Sequence, residues 1–135
     1  MPEVLLLEDL DSDVREVQSA LEQIGDYQLK HFDMAPRAIE FLSDKLEQGA
    51  ELPALIIADL NLPNSSGYEL LRFYHGNAGL RSVPCVVWSV MDGDTERKLT
   101  EWMGAHTLIS KNSGPKTLRK SLAAVLSPDS PRKRA

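Results

Sequence analysis

One short apolar run constrains the fold of this chain more than any other feature. Residues 54–58 read Ala-Leu-Ile-Ile-Ala, and the run stops abruptly at a carboxylate, Asp59. An uninterrupted run rich in Ile and Leu is typical of a strand that is buried on both faces, as in a parallel sheet covered by helices. Asp59 then lies at the carboxyl end of its strand, which is the edge where open α/β sheets bind ligands. We therefore interpret Asp59 as the working residue of the protein.

Apolar runs and amphipathic segments alternate along the chain. Each run predicts a strand, and the segment after it, with apolar residues at helical spacing, predicts a helix. Five strands that alternate with five helices indicate an α/β fold, a doubly wound five-stranded parallel sheet with right-handed crossovers. We expect the flavodoxin-like strand order 2-1-3-4-5. The predicted strands span residues 4–7, 27–32, 54–58, 84–88 and 107–110, and the helices after them end near Gly25, Gly49, Gly76, Gly104 and Leu126.

Residues at the helix ends lead to predictions of capping and packing. Ser66 and Glu69 have the spacing of a capping box that opens the third helix. Asp11, Ser12 and Asp13 offer an N-cap for the first helix, and residues 92–94 can cap the fourth. Tryptophan is expected to fill the core, although it can also cover a partner-binding face. The large apolar residues assigned to packing in and around the fourth strand and helix are Trp88, Leu99, Trp102 and Met103.

Length and composition limit the class of protein. The chain has 135 residues, which fits one domain at 1–126, and the proline-containing, basic segment 127–135 is predicted to be a flexible tail, with a docking arm as the alternative. A net charge of -5 argues against direct nucleic-acid binding. The chain shows no signal peptide and no apolar stretch of membrane-spanning length, so we expect a cytoplasmic location. The single cysteine, Cys85, lies in an apolar run and is interpreted as a buried hydrophobe.

Polar residues stand at the carboxyl ends of four predicted strands. Glu8 and Asp9 follow the first strand, Asp59 the third, Ser89 the fourth and Lys111 the fifth. If the topological switch point, where the strand order reverses, lies between the first and third strands, three carboxylates meet in one crevice. A cation must then offset their repulsion. Mg²⁺ suits such an open site with oxygen ligands. An aspartate beside Mg²⁺ and a lysine can attack a phosphoryl group, and Ser89 can then hydrogen-bond one of the new oxygens.

At these residues the chain resembles the receiver domains of two-component response regulators, the CheY-like superfamily, from Val4 to Leu126. The resemblance implies that Asp59 is the phosphoacceptor and that a phosphohistidine on a sensor histidine kinase is the donor. It implies that Ser89 is the switch hydroxyl and that Lys111 touches the phosphoryl group. It also implies a Mg²⁺ ion held by Asp9, Asp59 and the Asn61 carbonyl, with help from Glu8.

The sequence departs from the usual pattern of that family at two positions. Leu108 stands where a switch aromatic is normal, and Asn112 follows the lysine in place of a proline that forms a cis peptide. A lysine without the proline, together with the loop at residues 61–67, resembles the small stand-alone receivers that pair with phytochrome-type kinases. With only a short tail after residue 126, we expect signalling by binding or by onward phosphotransfer. A homodimer is predicted through the face formed by the fourth helix, fifth strand and fifth helix, carrying Trp102, Leu108 and Lys116.

Other interpretations of the same residues remain open at this point. The carboxylates near the first helix are also explained as helix caps, a role we assign to Asp11 and Asp13. The second interpretation keeps the fold but makes the chain a constitutive interaction module with an idle acidic site, and the missing aromatic residue is the reason to consider it. A phosphatase using an aspartyl phosphate is the third reading. Phosphatases of the haloacid-dehalogenase type need a second aspartate two residues after the nucleophile, and here that residue is Asn61, so external turnover is not expected.

Overall fold

The computed structural model describes residues 1–127, and its sheet has the predicted order. All five strands are parallel and run β2-β1-β3-β4-β5. The predicted tail lies outside the described residues, apart from residue 127. The elements are β1 (Glu3–Leu7), α1 (Asp11–Ile24), β2 (Gln28–Phe32), α2 (Ala35–Gln48), β3 (Leu55–Ala58), α3 (Gly67–His75), β4 (Cys85–Ser89), α4 (Asp94–Trp102), β5 (Thr107–Ser110) and α5 (Pro115–Leu126).

Helices cover both faces of the sheet, as a doubly wound fold requires. Alternate residues of β1 and β3 point to opposite faces because the side chains of a strand alternate. Leu5 and Ile56 pack in one core with α2 and α3, whereas Leu6 and Ile57 pack in a second core with α1 and α5. Burial on both faces explains why these strands have continuous apolar sequences. Cys85 is buried in the first of the two cores, as predicted.

The start of α3 is fixed tightly against the end of β3. The predicted capping box is present, because Ser66 and Glu69 exchange side-chain and backbone hydrogen bonds. Gly67 lies so close to β3 that a Cβ atom there would be 2.0 Å from the backbone oxygen of Asp59. Any side chain at position 67 would therefore push α3 away from the residue that ends β3.

The predicted cap of α1 is wrong, and that of α4 is correct only in its position. The N-cap residues are Leu10 and Gly93, and neither helix has a side-chain cap. The acidic residues make tertiary contacts instead, because Asp13 accepts a hydrogen bond from Lys111 and Asp92 accepts one from Ser110. In both cases a hydroxyl of β5 or a cation of the turn after it binds a carboxylate that was expected to cap the helix.

The packing predicted around α4 is correct only in part. Trp88 and Met103 are buried, but the side chains of Trp102 and Leu99 are 71% and 43% exposed. Leu108 is 3% exposed and packs in the core, so it is not part of the dimer face on which the sequence analysis placed it. Within the described residues, no helix combines the length and the apolar character needed to cross a membrane.

Candidate functional site

The sheet topology brings the predicted carboxylates together. β1 and β3 are neighbours with Leu7 paired to Ala58, so the next residue of each strand, Glu8 and Asp59, leaves the sheet at the same level. The Asp59 amide donates to the Leu7 carbonyl at 3.0 Å, which extends the pairing to the working residue itself. These positions therefore follow directly from strand register.

The carboxylates of Glu8, Asp9 and Asp59 form a cluster that fits a divalent cation. Each offers one oxygen, and the three oxygens lie within 4.8 Å of one another. Glu8 is fully buried and Asp59 is 4% exposed, so water offsets little of their mutual repulsion. Oxygen donors at this spacing suit a hard divalent ion. Asn61 lies in the β3–α3 loop, and its backbone amide donates to Asp59 Oδ1 at 3.2 Å.

A cavity of about 300 Å³ opens beside Asp59. Its polar lining comes from Asp9, Asp13, Asp59, Asn61 and Lys111, and its apolar lining comes from Leu10, Leu62, Pro63 and Val90. The carboxylate at the end of β3 is thus accessible from a crevice at the carboxyl edge of the sheet. This is the location expected for ligand binding in an open α/β sheet.

Lys111 is the positive charge that the structure places among these carboxylates. Its Nζ donates to Asp13 Oδ2 at 2.6 Å, to Glu8 Oε2 at 2.7 Å and to Asp59 Oδ2 at 3.0 Å. The ammonium also lies 4.8 Å from the centre of the Trp88 ring. An ammonium has three N–H donors, and each has a carboxylate partner here.

Burial and neighbouring charges raise the pKa values of two groups in the site, Glu8 and Lys111. Burial raises the pKa of Glu8 to about 7; the negative charge of Asp59 also raises it, while Lys111 lowers it. Burial alone would lower the pKa of Lys111, but hydrogen bonds to Asp13, Glu8 and Asp59 together raise the pKa above its ordinary value. Lys111 is therefore held firmly in its charged form, whereas Glu8 is poised to change charge near neutral pH.

Ser89 lies at the end of β4 and is fully buried. Its Oγ accepts a hydrogen bond from the Met91 amide at 3.0 Å, and the cavity beside Asp59 is lined by the adjacent Val90. The structure therefore places Ser89 at the predicted edge, with its hydroxyl oxygen engaged by its own loop. The hydroxyl proton is still available to an acceptor because the Met91 contact uses the oxygen.

Asp13 is a member of the site that was not predicted from the sequence. The feature that could have indicated it is its position in the first turn of α1. Side chains of a helix tilt toward the N-terminus of the helix, which here lies at the carboxyl edge of the sheet. Leu108 also has a backbone contact with α4. The Leu108 carbonyl accepts from Arg97 Nη1 at 3.0 Å, which ties α4 to β5. The described residues contain no cis peptide bond, so Asn112 follows the lysine through a trans bond and lies in a 3₁₀ turn, Lys111–Ser113.

Comparison with known proteins agrees with the fold. No family model matches the sequence. The chain is 30% identical over 125 residues to the chemotaxis protein CheV1 of Helicobacter pylori and 32% identical over 126 residues to the response regulator Rre1 of Synechocystis sp.. These matches cover 91% and 93% of this chain but 37% and 52% of those proteins, so the chain spans about a third to a half of their length.

A third relative matches over most of its length. The response regulator Rcp1 of Synechocystis sp. is 29% identical over 124 residues, which is 90% of this chain and 84% of Rcp1. A crystal structure of its Mn²⁺-bound form superposes with a TM-score of 0.77 at 28% identity, covering 93% of this chain and 91% of that one. The parallel 2-1-3-4-5 sheet, with an acidic cluster and a lysine at its carboxyl edge, defines a CheY-like signalling domain. The chain belongs to the receiver domains of two-component response regulators.

Proposed function

We propose that Asp59 accepts a phosphoryl group from a phosphohistidine on a sensor histidine kinase. The observation that carries this proposal is the position of the Asp59 carboxylate, which lies in the crevice with one oxygen 3.0 Å from Lys111 Nζ and a cation-binding cluster beside it. An Asp59 oxygen attacks phosphorus, and the phosphorus–nitrogen bond breaks as imidazole leaves with the bonding pair. Lys111 offsets the negative charge on the transferred oxygens.

The cation in this proposal is Mg²⁺. Asp9 and Asp59 would hold it with the Asn61 carbonyl, and Glu8 would help from its buried position. When bound, Mg²⁺ supplies Lewis-acid neutralisation of the phosphoryl oxygens. The cluster supports this assignment because its donors are all oxygen and because it opens on a crevice where water can complete the coordination. The crystal structure of Rcp1 is of a Mn²⁺-bound form, which supports the proposal of a divalent ion here.

Intact mass after incubation with acetyl phosphate tests this proposal. We expect a gain of one phosphoryl group that requires Mg²⁺ in wild type and that is lost in Asp59→Asn. Asp33→Asn is a matched control, because Asp33 is an exposed aspartate that also follows a strand, β2. Labelling that persists in Asp59→Asn would refute Asp59 as the phosphoacceptor. A folded Asp59→Asn, judged by circular dichroism, makes the loss of labelling a chemical result.

In this proposal the phosphorylated protein signals by binding a partner. Phosphorylation shifts the population toward the active conformer only if that conformer binds the phosphoryl group better than the inactive one. Slow loss of the aspartyl phosphate to water is expected at an open site.

Four other features stay predictions: the homodimer, the phytochrome-type kinase, the cytoplasmic location and the 1–126 domain with a basic tail. Light scattering at high concentration, with and without phosphodonor, tests the dimer, and a monomer in both conditions would count against it.

A constitutive interaction module is the second candidate function, favoured by one observation. Leu108 is buried where a switch aromatic is usual, so the coupled movement of a serine and a ring cannot operate in its usual form. Binding to a captured partner that is the same with and without phosphodonor and Mg²⁺ would favour this candidate. Binding that changes at least severalfold on phosphorylation would favour the receiver function.

A further inference from the structure

Lys111 has more carboxylate partners than the proposed chemistry uses. Phosphoryl transfer to Asp59 accounts for the Asp59 contact, and Glu8 belongs to the cation cluster. Asp13 belongs to neither, yet it makes the shortest of the three contacts to Nζ, 2.6 Å. Its side chain is 20% exposed and Lys111 is 9% exposed, so this pair is largely shielded from solvent.

The two shorter contacts are made by groups that are themselves fixed. Glu8 Oε1 accepts from the amides of Asp9 and Leu10 at 3.0 and 3.3 Å, which leaves Oε2 for Lys111. Asp13 is anchored in the first turn of α1, where the helix dipole favours its negative charge. The contact to Asp59 is the longest of the three, at 3.0 Å.

We propose that Asp13 is a positioning residue that aims Lys111 at Asp59 and at the phosphoryl group. This inference rests on the proposed function. Asp13 and Glu8 each take one N–H of the ammonium, and the third N–H is left pointing toward Asp59. A lysine ammonium is a point charge on a flexible stem, so two fixed partners are needed to define where its third donor points.

Removal of Asp13 should therefore affect the rate of transfer and leave cation binding nearly unchanged. The cation cluster consists of Glu8, Asp9 and Asp59, and Asp13 is outside it. Loss of the Asp13 contact frees one Nζ donor, and the stem of Lys111 then samples positions away from Asp59. A misplaced catalytic group costs up to about 100-fold in rate, and we expect about tenfold here because Glu8 still holds the amine.

The test measures phosphorylation by acetyl phosphate at saturating Mg²⁺, together with Mg²⁺ affinity by calorimetry. Asp13→Ala is compared with Asp11→Ala, because Asp11 is an exposed acid in the same first turn and has no contact with Lys111. Both variants remove one negative charge from the same helix end. Asp13→Asn keeps an oxygen that accepts from Nζ, and it should show a rate between those of Asp13→Ala and wild type.

We expect Asp13→Ala to be phosphorylated about tenfold more slowly than Asp11→Ala, with Mg²⁺ affinities of the two variants within about threefold. Equal rates for the two variants at saturating Mg²⁺ would overturn the inference. A slower rate that disappears when Mg²⁺ is raised would also overturn it, because Asp13 would then act through cation binding. If wild type itself gains no phosphoryl group, the proposed function fails; if wild type is labelled and the two variants match, only the role of Asp13 fails.

Discussion

The carboxyl edge of the sheet and the outer face of α4 break the usual distribution of residues in opposite ways. At the edge, charged side chains are buried: Glu8 is fully buried and Asp59 is 4% exposed. On α4, large apolar side chains are exposed: Leu99 is 43% exposed and Trp102 is 71% exposed. Buried charges and exposed apolar groups are the two informative exceptions to the rule that apolar residues lie inside.

The two regions differ in whether contacts within the described residues offset the unfavourable exposure or burial. The buried carboxylates are offset within the chain by the ion pairs to Lys111. The exposed Trp102 has one described ring contact, to His75 at 5.1 Å between centroids, and most of its surface faces solvent. The buried carboxylates at the edge therefore share an internal counter-ion, Lys111, whereas the apolar surface of α4 is not covered by the described residues.

The two tryptophans give the largest expected contrast. Trp88 is 2% exposed and lies between the sheet and α1 and α5, so Trp88→Ala should lower the free energy of unfolding by about 3–5 kcal/mol. Trp102→Ala removes a mostly exposed ring and should cost less than about 1 kcal/mol. Urea denaturation followed by circular dichroism measures both changes. Equal losses would mean that the Trp102 side chain contributes to the core.

Removal of Lys111 tests whether the edge depends on internal compensation. Lys111→Ala leaves Glu8, Asp13 and Asp59 without their shared cation, and breaking a buried pair on one side costs about 3–4 kcal/mol. We expect this loss in metal-free buffer at pH 8, and we expect Mg²⁺ to recover part of it. Lys116→Ala, at an exposed lysine, is the control. A Lys111→Ala protein as stable as the control would show that the carboxylates do not need the ammonium.

The fold was predictable from the sequence because its signals are local. Runs such as residues 54–58 are continuous because β3 is buried on both faces, and glycines mark the helix ends; Gly49, for example, has a φ of 62°. The weak points were α4 and the caps. Trp102 was assigned to the core, with a partner-binding face as the alternative, because large rings are usually buried. Helical spacing alone does not state which face of a helix meets the sheet.

The members of the site were predictable where strand ends define them. Glu8, Asp59 and Lys111 follow β1, β3 and β5 directly, and parallel pairing brings such positions to one edge. Asp13 was not predictable in this way, because it lies in the first turn of α1 and not at the end of a strand. An acid in the first turn of a helix has a sufficient local explanation, the helix dipole, which hides its tertiary role.

The raised pKa of Glu8 gives the edge a pH dependence with a defined sign. Its folded pKa is about 7, above the ordinary value of 4.5, so the folded state holds this proton more tightly than the unfolded state. In metal-free buffer, the stabilisation from Glu8 is complete below about pH 4.5 and is lost as the pH rises to 7, a change of roughly 2–3 kcal/mol. Urea denaturation of wild type and Glu8→Gln at several pH values measures it. A difference between the two proteins that does not change with pH would contradict this prediction.

The smallest effect is expected where α4 is attached to the sheet. Arg97 Nη1 donates to the Leu108 carbonyl at 3.0 Å, a link between the helix and β5 that does not depend on burying Leu99 or Trp102. Arg97→Met keeps the apolar stem but removes the donor, which costs about 1 kcal/mol. Backbone hydrogen exchange should then be roughly fivefold faster in α4 and unchanged in α1. The lost contact lowers the free energy of local opening of α4 but not that of α1. Lys98→Met, at an exposed neighbour, is the control. Equal acceleration in α1 and α4 would mean that Arg97 stabilises the whole domain, and the contrast between a self-contained edge and a loosely attached α4 would no longer hold.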